Sequence, residues 1–378
     1  MNIKQQGQDK ILFISIIALI CFGLFMLFSA SWVKSLEITG GQSRTYYLVS
    51  QMIKLIPAFF IFVLLTKINY RKLQIFSPYL LFCSFLLLLY TQFQGCSGDA
   101  CRWLSIGPIS FQTSDVARFS MILFLASYID NNHKNMNQFV KGVFYPMLAI
   151  LPIALMIIMQ PDNSTTLILL VIAFAMLFVG GASLIQLATI GVFSLGAIGI
   201  FILNEKNYAL SRILSFIDSS GSSNSIGYQS NQALIALKQG GFSGMGIGES
   251  IQKYSYLPET HTDFIFAIIG EELGFIAGSI LMLTYYIIFY RAVQISKRSN
   301  DIFGIMISIG FGLSITIYAF INIGVVIGVV PVTGVPLPFI SYGGSSLIIN
   351  LMMIAILLNI SKAQRKLNVK RWRLRVNA

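Results

Sequence analysis

The sequence predicts an all-α polytopic membrane protein of about ten transmembrane helices, both termini cytoplasmic, with a large extracytoplasmic loop between helices seven and eight. Three observations point there. Hydrophobic residues make up 56% of the 378 and charged residues 11%, where a soluble domain carries about 25% charged. Apolar stretches of roughly 20 residues, long enough to cross a bilayer as a helix, recur along the whole chain. Positive charge is also divided unevenly between alternate loops, as the positive-inside rule requires.

The expected spans are 11–31, 46–66, 78–93, 114–129, 142–160, 165–180, 183–203, 264–290, 302–330 and 344–361. The first is too long for a cleaved leader, and no small-residue cleavage site follows it, so it is read as retained. With the N-terminus inside, the cytoplasmic segments hold Lys4 and Lys10, then Lys67, Arg71 and Lys72, then Lys134 and Lys141, then Arg291, Lys297 and Arg298, then the basic tail over 362–378. Lys54 and Arg118 fall within spans. The net charge of +12 and the tail KAQRKLNVKRWRLRVNA fit a juxtamembrane segment touching anionic lipid better than a nucleic-acid site. The chain reads as one membrane domain over 1–378, with no soluble domain split off by a linker.

The unusual residues all fall in the odd-numbered, external loops. GDACRWLSIGPISFQTSDVARF (98–119) fills the third loop and enters the fourth span, and QPDNSTT (160–166) forms the fifth. The seventh loop, about 204–262, ends in YLPETHTDFIFAIIGEELG (256–274), and GVVPVTGVPLPFISYGGSS (328–346) forms the ninth. The prolines and glycines of the ninth cannot continue a helix. Irregular backbone at membrane depth is tolerated only inside protein or against a water-filled space, so an outward-facing cavity is expected. Cys21 and Cys83 lie in spans and are expected to pack. Cys96 and Cys101 share an external loop, where a disulfide is open to them.

Asp115 and Arg118 stand at i and i+3 on one helix face, as a mutually neutralising pair or as a fixed cation for an anionic substrate with its orienting acid. Arg102, beside Trp103, is a second anion contact or an interface anchor. Asp263 sits at the N-terminal edge of span eight, as a helix cap or a working acid. Glu271 is roughly 12 Å deeper and turned by about 80°, so the two can line one cavity wall, whereas Glu272 lies about 180° away and should face another helix as a structural acid. His261 reads as an interfacial residue. No dedicated metal cluster is visible. A divalent cation, Mg or Mn, would arrive weakly held on substrate, and no organic cofactor is expected.

With RWLSIGPISFQTSDVAR, QPDNSTT, GYQSNQALIALKQGGFSGMGIG (227–248), YLPETHTDFIFAIIGEELG and PVTGVPLPFISYGGSS in order, the chain resembles the SEDS family of cell-shape, division and sporulation proteins, FtsW, RodA and SpoVE. The resemblance covers about 15–361, and the 252–274 stretch looks closer to the division-type FtsW branch. Thr113, Asp115 and Arg118 stand where the family usually has Pro, Glu and Lys, and Asn163-Ser164 where it often has Leu-Gly. The resemblance implies a peptidoglycan glycosyltransferase of the bacterial cytoplasmic membrane, working at its outer face. It would polymerise lipid II onto an undecaprenyl-pyrophosphate-linked glycan, with a class B penicillin-binding transpeptidase and division or elongation proteins as partners and no nucleic acid. It makes Asp263 the catalytic acid and assigns Arg102, Asp115, Arg118, Gln160, Asp162, Glu271, Ser341 and Ser345 to substrate binding. An α-linked donor giving a β-1,4 product means inversion, which needs one base and no carboxylate nucleophile. The rival readings are a lipid II flippase, for which polar residues should reach both faces, and a non-catalytic scaffold for the transpeptidase.

Overall fold

The computed structural model describes residues 9–93, 102–106, 109–192, 196, 225–254 and 256–376. The helices in chain order are α1 (Lys10–Ile38), α2 (Tyr46–Lys67), α3 (Lys72–Phe93), α4 (Thr113–Asn132), α5 (Tyr145–Met159), α6 (Asn163–Val179), α7 (184–192), α8 (Ser225–Gly240), α9 (Ile265–Arg298), α10 (Ile302–Val326) and α11 (Gly344–Val376). Among the described residues, 7 helices are long and apolar enough to span a bilayer. The remaining expected spans fall short for identifiable reasons: α4 carries Asp115 and Arg118, α6 has only 17 residues, and α7 is described in part. Cys96 and Cys101, and with them the disulfide question, lie outside the described residues.

Burial ranks the helices. In the apolar span of α11, 89% of residues are buried and in α10 72%, against 11% in α2. The centre is therefore α10 and α11 with α4, and α2 and α3 form the lipid-facing rim. Cys21 on α1 and Cys83 on α3, expected to pack, are exposed.

One end of the bundle is stitched by charged and polar contacts between the even-numbered connections. Asp9 caps α1 through the Leu12 N–H and takes a forked bond from Arg291 Nε and Nη2 at 3.0 and 2.5 Å. Tyr70 donates to Asp301 at 2.7 Å, Gln74 to Asp130 at 2.7 Å, and Asn359 to the Leu65 carbonyl at 3.0 Å. α11, at 33 residues, is roughly 50 Å long and outruns a hydrocarbon core of about 30 Å, so the basic tail continues it as helix.

The opposite end is loop-rich and holds elements that the hydropathy pattern hides. Trp103–Ile106 (β1) pairs antiparallel with Ile109–Gln112 (β2), and β2 runs straight into α4. Within the stretch expected as the seventh loop, α8 is an amphipathic helix of 16 residues.

The expected eighth span is one helix in extent but broken in backbone. Gly274 adopts φ 72 and ψ −172, a conformation essentially reserved for glycine. The segment after α8 fills the break. The Met245 and Gly246 N–H groups donate to the Glu271 and Glu272 carbonyls at 3.0 Å each, and the Phe275 N–H donates to Gly241 O at 2.9 Å. Backbone groups on both sides of the break thus find partners in this segment, as the bilayer interior requires. A Cβ on residue 274 would lie 2.4 Å from Gly244 N. Gly274→Ala is expected to add about 1–3 kcal/mol of backbone strain and to open this clasp. Thermal unfolding should fall by several degrees and protease should gain access to 240–254; a wild-type melting curve would show that the clasp is dispensable.

Candidate active site

Asp263 stands in a run of turns just before α9, partly open to solvent. It is not the helix cap: that position belongs to Phe264, and no side chain caps the helix. Its setting comes from backbone stitching instead. Asn322, buried on α10, donates from one amide nitrogen to both the Asp263 and the Val335 carbonyl, at 2.7 Å each. Ser341 donates to the Thr262 carbonyl at 2.5 Å and accepts from the Leu337 N–H at 2.8 Å. The Tyr342 N–H donates to the His261 carbonyl at 2.9 Å. The proline-rich ninth loop is thereby fastened along residues 261–263. The Asp263 carboxylate lies over Gly334, where a Cβ would stand 3.5 Å from its Oδ2. His261 is buried against Tyr47, ring centroids 4.3 Å apart, and burial pushes its pKa down, so the neutral ring is favoured. Ser341, expected to bind substrate, positions this loop with both hydrogen-bonding capacities of its hydroxyl.

A second polar cluster joins α4, α10 and α11. Arg118 is wholly buried and donates from Nη2 to Asp115 Oδ1 at 3.1 Å and to Asn350 Oδ1 at 3.4 Å. Its guanidinium carbon lies 3.8 Å from the Tyr318 ring centroid. Ser345, in the first turn of α11, donates to the other Asp115 oxygen at 3.0 Å. Asp115, Arg118 and Ser345 therefore do come together. Two buried guanidinium nitrogens, Nε and Nη1, have no hydrogen-bond partner. The neutralising-pair alternative describes this geometry, while the two unbonded donors keep capacity for a further acceptor.

Arg102, Gln160 and Asp162 form a third group with a different task. Arg102 donates from Nε to the Gln160 carbonyl at 3.1 Å and from Nη2 to the Pro161 carbonyl. Gln160, buried, donates to Leu88 O at 3.0 Å and to Thr91 Oγ1 at 2.7 Å. Asp162 caps α6 through the Thr165 N–H and accepts from Gln112 at 3.2 Å. These contacts tie the fifth loop to β2 and α3, and they occupy the groups assigned to substrate.

Glu271 is the clearest departure. It was expected to share a cavity wall with Asp263, but it is fully buried. Its carboxylate accepts from Ser250 Oγ at 2.5 Å and from the Ile251 N–H at 2.9 Å. The helical-wheel argument placed the residue correctly but assumed open space beside it, which the 245–252 loop fills. Glu272 faces α1, as its angle predicted: it accepts from Ser29 at 2.6 Å and pairs with Lys253 at 3.0 Å, both charges buried. Asn322, Asn350 and Tyr318 were missed. Their only signal was a polar atom in an otherwise apolar helix.

The family model described as Cell cycle protein, FtsW/RodA/SpoVE, matches residues 9–366. The chain belongs to the FtsW/RodA/SpoVE family. It is 36% identical to Stage V sporulation protein E of Bacillus subtilis, over 97% of this chain and 100% of that one. It is 34% identical to a probable peptidoglycan glycosyltransferase FtsW of Idiomarina loihiensis, over 97% and 90%. Sporulation and division relatives of this family thus match at similar identity. In fold, a chain from a peptidoglycan synthase complex, described as coordinating polymerization and crosslinking, superposes with TM-score 0.76 at 24% identity, covering 94% of this chain and 98% of that one. The rod shape determining protein RodA of Thermus thermophilus superposes with TM-score 0.68 at 24% identity, covering 94% and 97%. This family member is accordingly a multi-pass membrane protein.

Proposed function

We propose that this protein is a peptidoglycan glycosyltransferase that polymerises lipid II at the outer face of the bacterial cytoplasmic membrane, with Asp263 as general base. One observation carries the reading. Asp263 joins a partly open carboxylate to a backbone held from three sides, whereas Asp115, Asp162, Glu271 and Glu272 are buried and Glu37, Glu249 and Glu259 lie exposed. A base must be held still yet reach its proton.

In this mechanism Asp263 takes the proton of the acceptor N-acetylglucosamine 4-hydroxyl as that oxygen attacks the anomeric carbon of the donor glycan. The C–O bond forms as the bond to pyrophosphate breaks, and undecaprenyl pyrophosphate leaves with the electron pair. Configuration inverts in this single displacement. Pyrophosphate needs its charge met rather than a proton supplied. Among the described residues no three His, Cys, Asp or Glu side chains converge to hold a metal ion, so Mg or Mn would enter with the pyrophosphate. The test is direct: purified protein with its co-expressed class B penicillin-binding transpeptidase should convert lipid II to glycan. Translocation of lipid II without polymer would support the flippase instead.

The orientation is part of the proposal. The loop-rich end should face outward, because the basic residues gather at the other. A cysteine placed at exposed Ile247 and one placed at exposed Lys297 should label from opposite sides of the cell membrane. Labelling of both from one side would reverse or break the topology.

A further inference from the structure

α2 carries a cation at membrane depth. Lys54 lies eight residues into the helix, roughly 12 Å from its start at 1.5 Å per residue, and is half-buried. Its ammonium stands 3.9 Å from the centroid of the Tyr342 ring. Among the described residues the ion pairs join other groups, and no carboxylate pairs with Lys54. A cation–π contact returns less than a lysine at the centre of a spanning helix costs. The charge is therefore held in place and left short of neutral.

The ring that holds it is itself fixed. The Tyr342 hydroxyl shares a 3.0 Å hydrogen bond with Ser50, one helical turn before Lys54, and the Tyr342 N–H is bonded to His261, two residues from Asp263. Lys54 is thus registered to the segment that carries the base. The lysine stem lies against Gly344, where a Cβ would come 3.2 Å from Lys54 Cδ. On the same helix Ile53, Ile56 and Phe60 are exposed on the lipid-facing rim. A cation bordered by an apolar, lipid-facing helix surface matches a ligand that is anionic at its head and hydrocarbon behind it.

We propose that Lys54 is an anion contact for a lipid-linked pyrophosphate: its ammonium pairs with a phosphate oxygen of a polyprenyl diphosphate while the prenyl chain runs along the lipid-facing side of α2. This rests on the glycosyl-transfer reading for its choice of ligand. An anionic phospholipid offers the same phosphate chemistry, so the experiment separates the two. Full-length protein in phosphatidylcholine nanodiscs is titrated with undecaprenyl diphosphate and, separately, with phosphatidylglycerol, and bound lipid is counted by native mass spectrometry.

Lys54→Met keeps the stem and removes the charge. It should weaken undecaprenyl diphosphate binding about tenfold or more, the worth of one charge-assisted hydrogen bond, while phosphatidylglycerol binding stays unchanged. Lys54→Arg should retain the diphosphate. Should Lys54→Met not fold, Lys54→Gln takes its place. In polymerisation assays the loss should appear in KM for lipid II more than in kcat. Wild-type binding of undecaprenyl diphosphate by the folded neutral variant overturns the proposal, and so does an equal loss for both lipids. If the wild-type protein makes no glycan but the binding difference persists, the polymerase reading falls and the anion contact stands.

Discussion

Asp263→Asn is expected to lower glycan polymerisation at least about 100-fold, the lower bound for a lost general base, with folding and partner binding intact. Asparagine keeps the size and much of the hydrogen bonding of aspartate, and the backbone of 261–263 ties this segment to α10 and the ninth loop. The substitution therefore separates chemistry from architecture. Because the base acts on a proton moving in the transition state, kcat should carry the loss and KM for lipid II should change little. The measurement is initial-rate polymerisation of labelled lipid II, with melting temperature as the control. A folded Asp263→Asn protein polymerising at near wild-type rate would remove Asp263 from the mechanism. Intact polymerisation with lost lipid II translocation in liposomes would move the acid to a transport step.

Arg118→Met should destabilise the fold by about 3–5 kcal/mol, the usual cost of leaving a buried charge without its partner. Arg118 and Asp115 are both buried, and the first turn of α11 hangs on the same acid through Ser345. Removing the guanidinium strands the Asp115 carboxylate between α4 and α11. Removing both charges, as Asp115→Asn with Arg118→Met, leaves no stranded ion and should cost less than the sum of the two single changes. Denaturant unfolding in detergent micelles measures all four corners of that cycle. Strict additivity would mean that the two residues act independently. Any activity lost beyond the stability loss would show that the two unbonded donors of Arg118 reach substrate as well.

How far the site was legible depended on what each inference assumed. Asp263 was left open, as a helix cap or a working acid, by its place at the edge of a span, and the family resemblance made it the catalytic residue. Glu272 was placed against a neighbouring helix by its angle from Asp263, and it meets Ser29 on α1. The same wheel failed for Glu271 because an angle says where a side chain points and nothing about what arrives there. Arg102, beside Trp103, was read as an anion contact or an interface anchor; it donates to the loop carbonyls of Gln160 and Pro161, and no side-chain pattern announces a carbonyl. The β1–β2 hairpin escaped notice because four-residue strands show little alternation, and α8 because Ser, Gly, Asn and Gln dilute its apolar stripe. Lys54 was counted as a charge within a span and given no role, since its significance rests on an aromatic ring nearly three hundred residues away.

The interruption at Gly274 has a mechanical consequence. An unbroken helix behaves as a lever: tilt imposed at one end by bilayer thickness or by a neighbouring helix arrives at the other. Here the lever is cut. The piece before Gly274 is moored to the ninth loop at one end and to the 245–252 loop at the other. The piece after it faces lipid with Phe275, Ile276, Ile280 and Leu283. Tilt of the lipid-facing piece therefore reaches the piece before it through the 241–246 segment that is bonded to both, and not through continuous helix bonds.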